Sequence, residues 1–89
     1  MLNSSYTNQF KKDLKLTKKR NKKISLLKEV MVQLINEEKL DEKYKDHKLI
    51  GNYKNRRECH IESDWLLIYK ITNQEIIFER TGSHSDLFE

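Results

Sequence analysis

Arg57-Glu58-Cys59-His60-Ile61-Glu62-Ser63-Asp64-Trp65-Leu66-Leu67-Ile68-Tyr69-Lys70-Ile71-Thr72-Asn73-Gln74-Glu75-Ile76-Ile77-Phe78-Glu79-Arg80-Thr81 decides the fold of this chain. Its β-favouring residues fall in three runs, Arg57 to Ile61, Trp65 to Ile71 and Glu75 to Thr81, parted by Glu62-Ser63-Asp64 and Thr72-Asn73-Gln74. Runs rich in Ile, Tyr, Trp and Phe with short polar breaks predict an antiparallel meander. Leu66-Leu67-Ile68-Tyr69 is apolar at consecutive positions, which places it centrally with both faces covered. Lys48 to Tyr53 is the candidate for a further strand at the start of the meander.

Upstream the period changes to that of helices. Ile24, Leu27, Met31, Leu34 and Ile35, widened by Leu26 and Val30, predict a helix from about Lys23 to Glu38, with Asn21 as its cap. Before it, Phe10, Leu14 and Thr17 recur at helical spacing among lysines, and Thr7 offers the N-cap of a surface helix reaching about Lys19. Residues 2–6 are a candidate edge strand, and residues 39–47 read as a polar loop. The order strand, helical hairpin, then three or four strands is α+β, with the helices on one sheet face and the other face left as a concave platform. In 89 residues this is a single domain over residues 1–89.

Composition limits the function classes. One cysteine, Cys59, excludes an internal disulfide framework and cysteine-rich metal sites. No stretch reaches the roughly 20 apolar residues of a membrane span, and Met1 to Tyr6 lacks the pattern of a signal peptide, so a cytoplasmic protein without membrane partners is expected. The net charge of +4 is uneven: residues 1–30 hold nine Lys/Arg against two acids, and the remainder nine against twelve. A basic N-terminal half suits a polyanion such as RNA or an acidic protein partner, and equally a solvated helix face.

All three histidines, His47, His60 and His84, lie in or beside the strand-rich region, together with Arg57, Asp64 and Arg80. Cleaving RNA through a ribose 2′-hydroxyl requires a base, a cation for the phosphate and an acid for the leaving 5′-oxygen. Histidines and Asp64 fill the proton-transfer parts, and the planar guanidinium groups of Arg57 and Arg80 suit the phosphate. Alternation places Glu58 and His60 opposite Arg57, Cys59 and Ile61, and puts Arg80, Gly82 and His84 on a common side if the strand extends to His84. Trp65 and Cys59 read as core residues. The histidines match no compact metal-ligand spacing, so neither metal nor other cofactor is expected.

Asp46-His47-x-Leu49-x-Gly51, Arg57-x-Cys59-His60-Ile61-x-x-Asp64-Trp65-Leu66-Leu67-Ile68-Tyr69 and Arg80-Thr81-Gly82-Ser83-His84-Ser85-Asp86-Leu87-Phe88 together resemble the YafQ family of the RelE/ParE toxin superfamily. Glu58 differs from some relatives only in which acid is present. The resemblance implies a RelE-like α+β fold and a type II toxin, an endoribonuclease cutting mRNA on the ribosome and silenced by a bound antitoxin. It implies His47, His60, Asp64 and His84 as the proton-transfer set, with His60 and Asp64 on the base side, His84 as acid and His47 orienting or sharing the proton. Arg80 then stabilises the phosphate and Phe88 lies beside the scissile site. Lys11, Lys15, Lys18, Lys19 and Arg20 become candidates for docking on RNA or attracting an acidic antitoxin segment. Two alternatives carry different chemistry: a ParE-like gyrase inhibitor, which needs no such histidine set, and a non-catalytic RNA-binding module.

Overall fold

A computed structural model describes residues 1–51 and 55–88. Its elements are β1 (Asn3–Tyr6), α1 (Asn8–Lys19), α2 (Ile24–Ile35), a 3-10 turn (Glu42–Tyr44), β2 (His47–Lys48), β3 (Arg57–Glu62), β4 (Trp65–Ile71), β5 (Glu75–Gly82) and α3 (His84–Phe88). The strands lie in the order β1-β5-β4-β3-β2. The meander is antiparallel as its sequence predicts. β1, however, runs parallel to β5, with Asn3 to Tyr6 opposite Glu75 to Phe78, so the sheet is mixed. Tyr6, opposite Phe78 at the end of β1, stacks on both Phe10 and Phe78, at 5.6 and 5.7 Å.

Both long helices begin and end for local reasons. The Thr7 hydroxyl accepts the Phe10 N–H and donates to the Glu79 carbonyl, so one side chain caps α1 and ties it to β5. α1 closes with Asn21 at φ 59°, while Asn21 and Lys22 N–H groups return to the Lys18 and Thr17 carbonyls. Asn21 is thus the left-handed terminator of α1 and not the cap of α2, whose N-cap is Lys23. α2 stops at Ile35, three residues before the expected Glu38, in the same manner: Glu37 takes φ 59°, and Glu37 and Glu38 donate to Leu34 and Gln33. The expected loop 39–47 contains the 3-10 turn and ends in strand. Of the strand anticipated over Lys48 to Tyr53, only Lys48 lies in β2; Asn52 and Tyr53 lie outside the described residues.

The core forms between helices and sheet. Phe10 of α1 and Leu27, Val30, Met31 and Leu34 of α2 pack on Cys59, Ile61, Trp65, Leu67, Tyr69, Ile76 and Phe78. Trp65 donates its indole N–H to Thr81 Oγ1 at 3.0 Å, and Thr81 Oγ1 donates to the Leu66 carbonyl, so the polar atoms introduced by these residues are satisfied. The alternate residues of β4, Leu66 and Ile68, face away from the helices and are covered by Leu87 of α3 and by Leu49. The second face is therefore partly roofed, not wholly open. No helix among the described residues is long and apolar enough to cross a membrane.

A bulge in β5 divides the two faces. Tyr69 pairs with Phe78 but Ile68 pairs with Arg80, leaving Glu79 as an extra residue. Strict alternation would put Phe78 and Arg80 on one face. The insertion lets Phe78 enter the core while Arg80 follows Ile68 to the other side. Phe78→Ala is expected to lower unfolding free energy by about 3–5 kcal/mol, read as a lower denaturant midpoint.

Candidate active site

The cross-strand register assembles a row of side chains on the face away from the long helices. His47 pairs with Glu58, Glu58 with Ile68, and Ile68 with Arg80. The adjacent row is His60, Leu66 and Gly82. Paired residues point to the same face, so His47, Glu58, His60 and Arg80 occupy one platform. Glu58 is its least exposed charged member, at 5%. Its Oε1 lies 3.7 Å from His47 Nε2 and 3.5 Å from His60 Nε2, and the imidazole centroids are 6.5 Å apart.

This geometry gives the His47 imidazole a direction. His47 Nδ1 is 2.6 Å from the Lys45 carbonyl, which can only accept, so Nδ1 carries the proton and Nε2 faces Glu58. The Glu58 carboxylate, being acceptor-only, is placed to receive a hydrogen bond from an Nε2–H. His60 Nε2 faces the same carboxylate. A depression of about 520 Å³ beside His60 is lined by Lys43, Tyr44 and Lys45, among others, and offers cations and one aromatic ring to a polyanion.

The other arm is α3. β5 ends at Gly82, so His84 does not continue the strand alternation; it opens a five-residue helix. The Ser83 hydroxyl accepts the Asp86 N–H while Asp86 Oδ2 accepts the Ser83 N–H, a reciprocal cap at the start of this helix. Asp64, in the turn between β3 and β4, accepts the His84 N–H at 2.9 Å. His84 packs against Phe88 at 4.8 Å between rings. At Gly82 an added Cβ would meet Asp86 Oδ2 at 2.9 Å and its Cβ at 3.1 Å, so the Asp86 side chain would have to shift from its cap. Arg20 closes the arrangement from α1, donating Nη1 at 2.6 Å and Nη2 at 3.3 Å to Asp86.

Other expected residues lie elsewhere. Arg57 pairs with Tyr69 and so turns towards the helices, where its Nε and the Tyr69 hydroxyl both donate to Asp46. It lines a cavity of about 580 Å³ there and is not brought to His60. Burial, reinforced by Asp46, pushes the Tyr69 phenol up, and burial pushes the Cys59 thiol up, so neither is a proton donor or nucleophile near neutrality. Lys11, Lys15, Lys18 and Lys19 are exposed on α1, while Arg20 is committed to Asp86.

Three features were not anticipated. Glu58 was read only as an acid beside His60, although alternation already gave the two a common face. Asp13 is buried at 7% and binds Arg80; its position between Phe10 and Thr17, inside the helix stripe, was the available signal. Arg56 donates to Glu79 at 2.6 Å, a pairing across strands that one sequence does not reveal.

The Arg20 guanidinium, followed by the Ser83 N–H, lowers the Asp86 carboxyl to about 2. A carboxylate depressed in the folded state stabilises it above the unfolded pKa of about 3.9, and that contribution disappears as pH falls towards the folded value. NMR titration should find Asp86 near 2 in the parent protein and returned towards the ordinary carboxylate range in Arg20→Ala.

Residues 2–89 match the family model described as a bacterial toxin of type II toxin-antitoxin systems, YafQ. The mRNA interferase toxin YafQ of Escherichia coli K12 is 49% identical over 84 residues, covering 93% of this chain and 91% of that protein. The crystal structure of YafQ from Escherichia coli BL21(DE3) superposes with a TM-score of 0.96 at 44% identity, and YafQ in the Escherichia coli DinJ-YafQ complex with 0.94 at 46%, each covering all of both chains.

Proposed function

Since the chain belongs to the YafQ family of type II toxins, we propose that it is an antitoxin-controlled endoribonuclease that cuts mRNA by attack of a ribose 2′-hydroxyl on the adjacent phosphorus. The observation that carries this reading is the buried Glu58 carboxylate set between His47 and His60, with Arg80 in the same cross-strand row. The 2′-oxygen forms its bond to phosphorus as its proton passes to an imidazole, with Glu58 balancing the resulting charge. Arg80 offsets the negative charge that gathers on the phosphoryl oxygens. The bond to the 5′-oxygen breaks as His84 supplies a proton, leaving a 2′,3′-cyclic phosphate and a 5′-hydroxyl. Asp64 contributes by holding the backbone of His84, and Phe88 offers a ring beside it for a base.

This division modifies the one read from the resemblance. Asp64 was grouped with the base, yet its carboxylate accepts the His84 N–H, whereas Glu58 lies against both remaining imidazoles. The exposed lysines of α1 supply a surface for ribosomal RNA, consistent with cleavage during translation. The partner that silences the chain is an antitoxin, as DinJ is the partner of the Escherichia coli relative in the solved complex.

Mapping of mRNA 5′ ends after brief induced expression tests the reading. New in-frame 5′-hydroxyl ends are expected from the parent protein. They should fall by ~10²–10⁴-fold in His84→Ala and in Glu58→Gln, with both variants still folded and still bound by antitoxin. Full cleavage by both variants would refute the assignment, and DNA damage without mRNA cuts would indicate a gyrase inhibitor.

A further inference from the structure

We propose that Asp13, on α1, is a positioning residue that sets the orientation of Arg80 for the phosphoryl group; the inference rests on the proposed ribonuclease reaction. Asp13 is the only acid within the buried face of α1, which otherwise presents Phe10 and Thr17. Its Oδ2 accepts Arg80 Nε at 2.8 Å and the Thr81 N–H at 3.1 Å, and its Oδ1 accepts Arg80 Nη2 at 3.3 Å and Gln9 Nε2 at 3.1 Å. A buried carboxylate with four donors is held more firmly than a surface ion pair, which has solvent to compete with it.

The position on the sheet explains why a helix residue is used. β1 pairs with β5 only as far as Phe78, so the outward N–H of Thr81 has no strand partner on that edge. Asp13 takes its place in the ladder. The same carboxylate grips the Nε edge of Arg80, whose side chain starts on the platform face because of the Glu79 bulge. A long arginine side chain has many rotamers. A two-point grip by Asp13 selects one of them, which fixes the plane of the guanidinium relative to His60 and His84 before substrate arrives. α1 then acts as a strut: Asp13 holds the cation of the site, and Arg20, two turns on, holds α3 with its acid.

The test compares Asp13→Asn in two backgrounds, the parent chain and Arg80→Ala, using a translated reporter mRNA and rates per folded molecule. In the parent chain Asp13→Asn should lower kcat by ~10–100-fold with little change in KM. In Arg80→Ala it should change nothing further, because no guanidinium remains to be positioned. Asp13→Glu, which keeps the charge on a longer stem, should fall between parent and Asn, and it serves if Asn proves too unstable to assay. The Arg80 Nε–H NMR signal should be sharp in the parent protein and averaged in Asp13→Asn. Wild-type kcat in Asp13→Asn, or an equal loss in both backgrounds, would overturn the proposal. Absence of cleavage by the parent protein would instead overturn the ribonuclease reading, and the Arg80 signal would still decide whether Asp13 positions the side chain.

Discussion

The extra residue at Glu79 is the constraint from which the rest of the architecture follows. Without it, β5 could not send Phe78 into the helix-facing core and Arg80 to the opposite side. Its carbonyl is also the acceptor for the Thr7 hydroxyl, so the kink in the last strand is where the first helix starts. One bulge therefore registers β1, α1 and β5 against one another. Bulges often occur beside active sites because they re-aim a side chain without moving the strand. Here the re-aimed residue is the platform's arginine.

The electrostatics of the platform are unusual for a small basic protein. Its centre is an acid. A carboxylate removed from water is costly unless charged or hydrogen-bonded neighbours compensate it, and the neighbours of Glu58 are groups whose charge depends on protonation. Those neighbours are the Nε2 atoms of His47 and His60, at 3.7 and 3.5 Å from its Oε1. The basic residues are dispersed around it: Arg80 under Asp13, Arg56 against Glu79, Arg20 against Asp86.

Much of this was legible in the residues. The meander, the Thr7 cap and the apolar stripe of α2 depend on local periodicity and local hydrogen bonds, and Trp65 and Cys59 are core residues as their flanking sequence indicates. Alternation also gave His60 and Glu58 their shared face. Features set by tertiary pairing were not legible. The parallel placement of β1 depends on contacts 72 residues distant, and the early stop of α2 depends on Glu37, a residue with ordinary helix propensity, accepting a left-handed conformation. For His84, the Ser83-x-x-Asp86 spacing was a readable helix start that the strand pattern obscured.

The parallel pairing of β1 with β5 also has a consequence for how the molecule is made. Asn3 to Tyr6 have their sheet partners in Glu75 to Phe78, so the first strand cannot dock until nearly all the chain is available. Closing so long a loop costs entropy before any contact repays it, and such non-local pairing slows folding relative to helical hairpins of similar size. The α1–α2 hairpin and the β3–β4–β5 meander can each form from neighbouring sequence, but the Asp13 and Thr7 contacts come only with their union. The grip of Asp13 on Arg80 is therefore completed late in folding, and a partly assembled chain can carry the side chains of the platform without it.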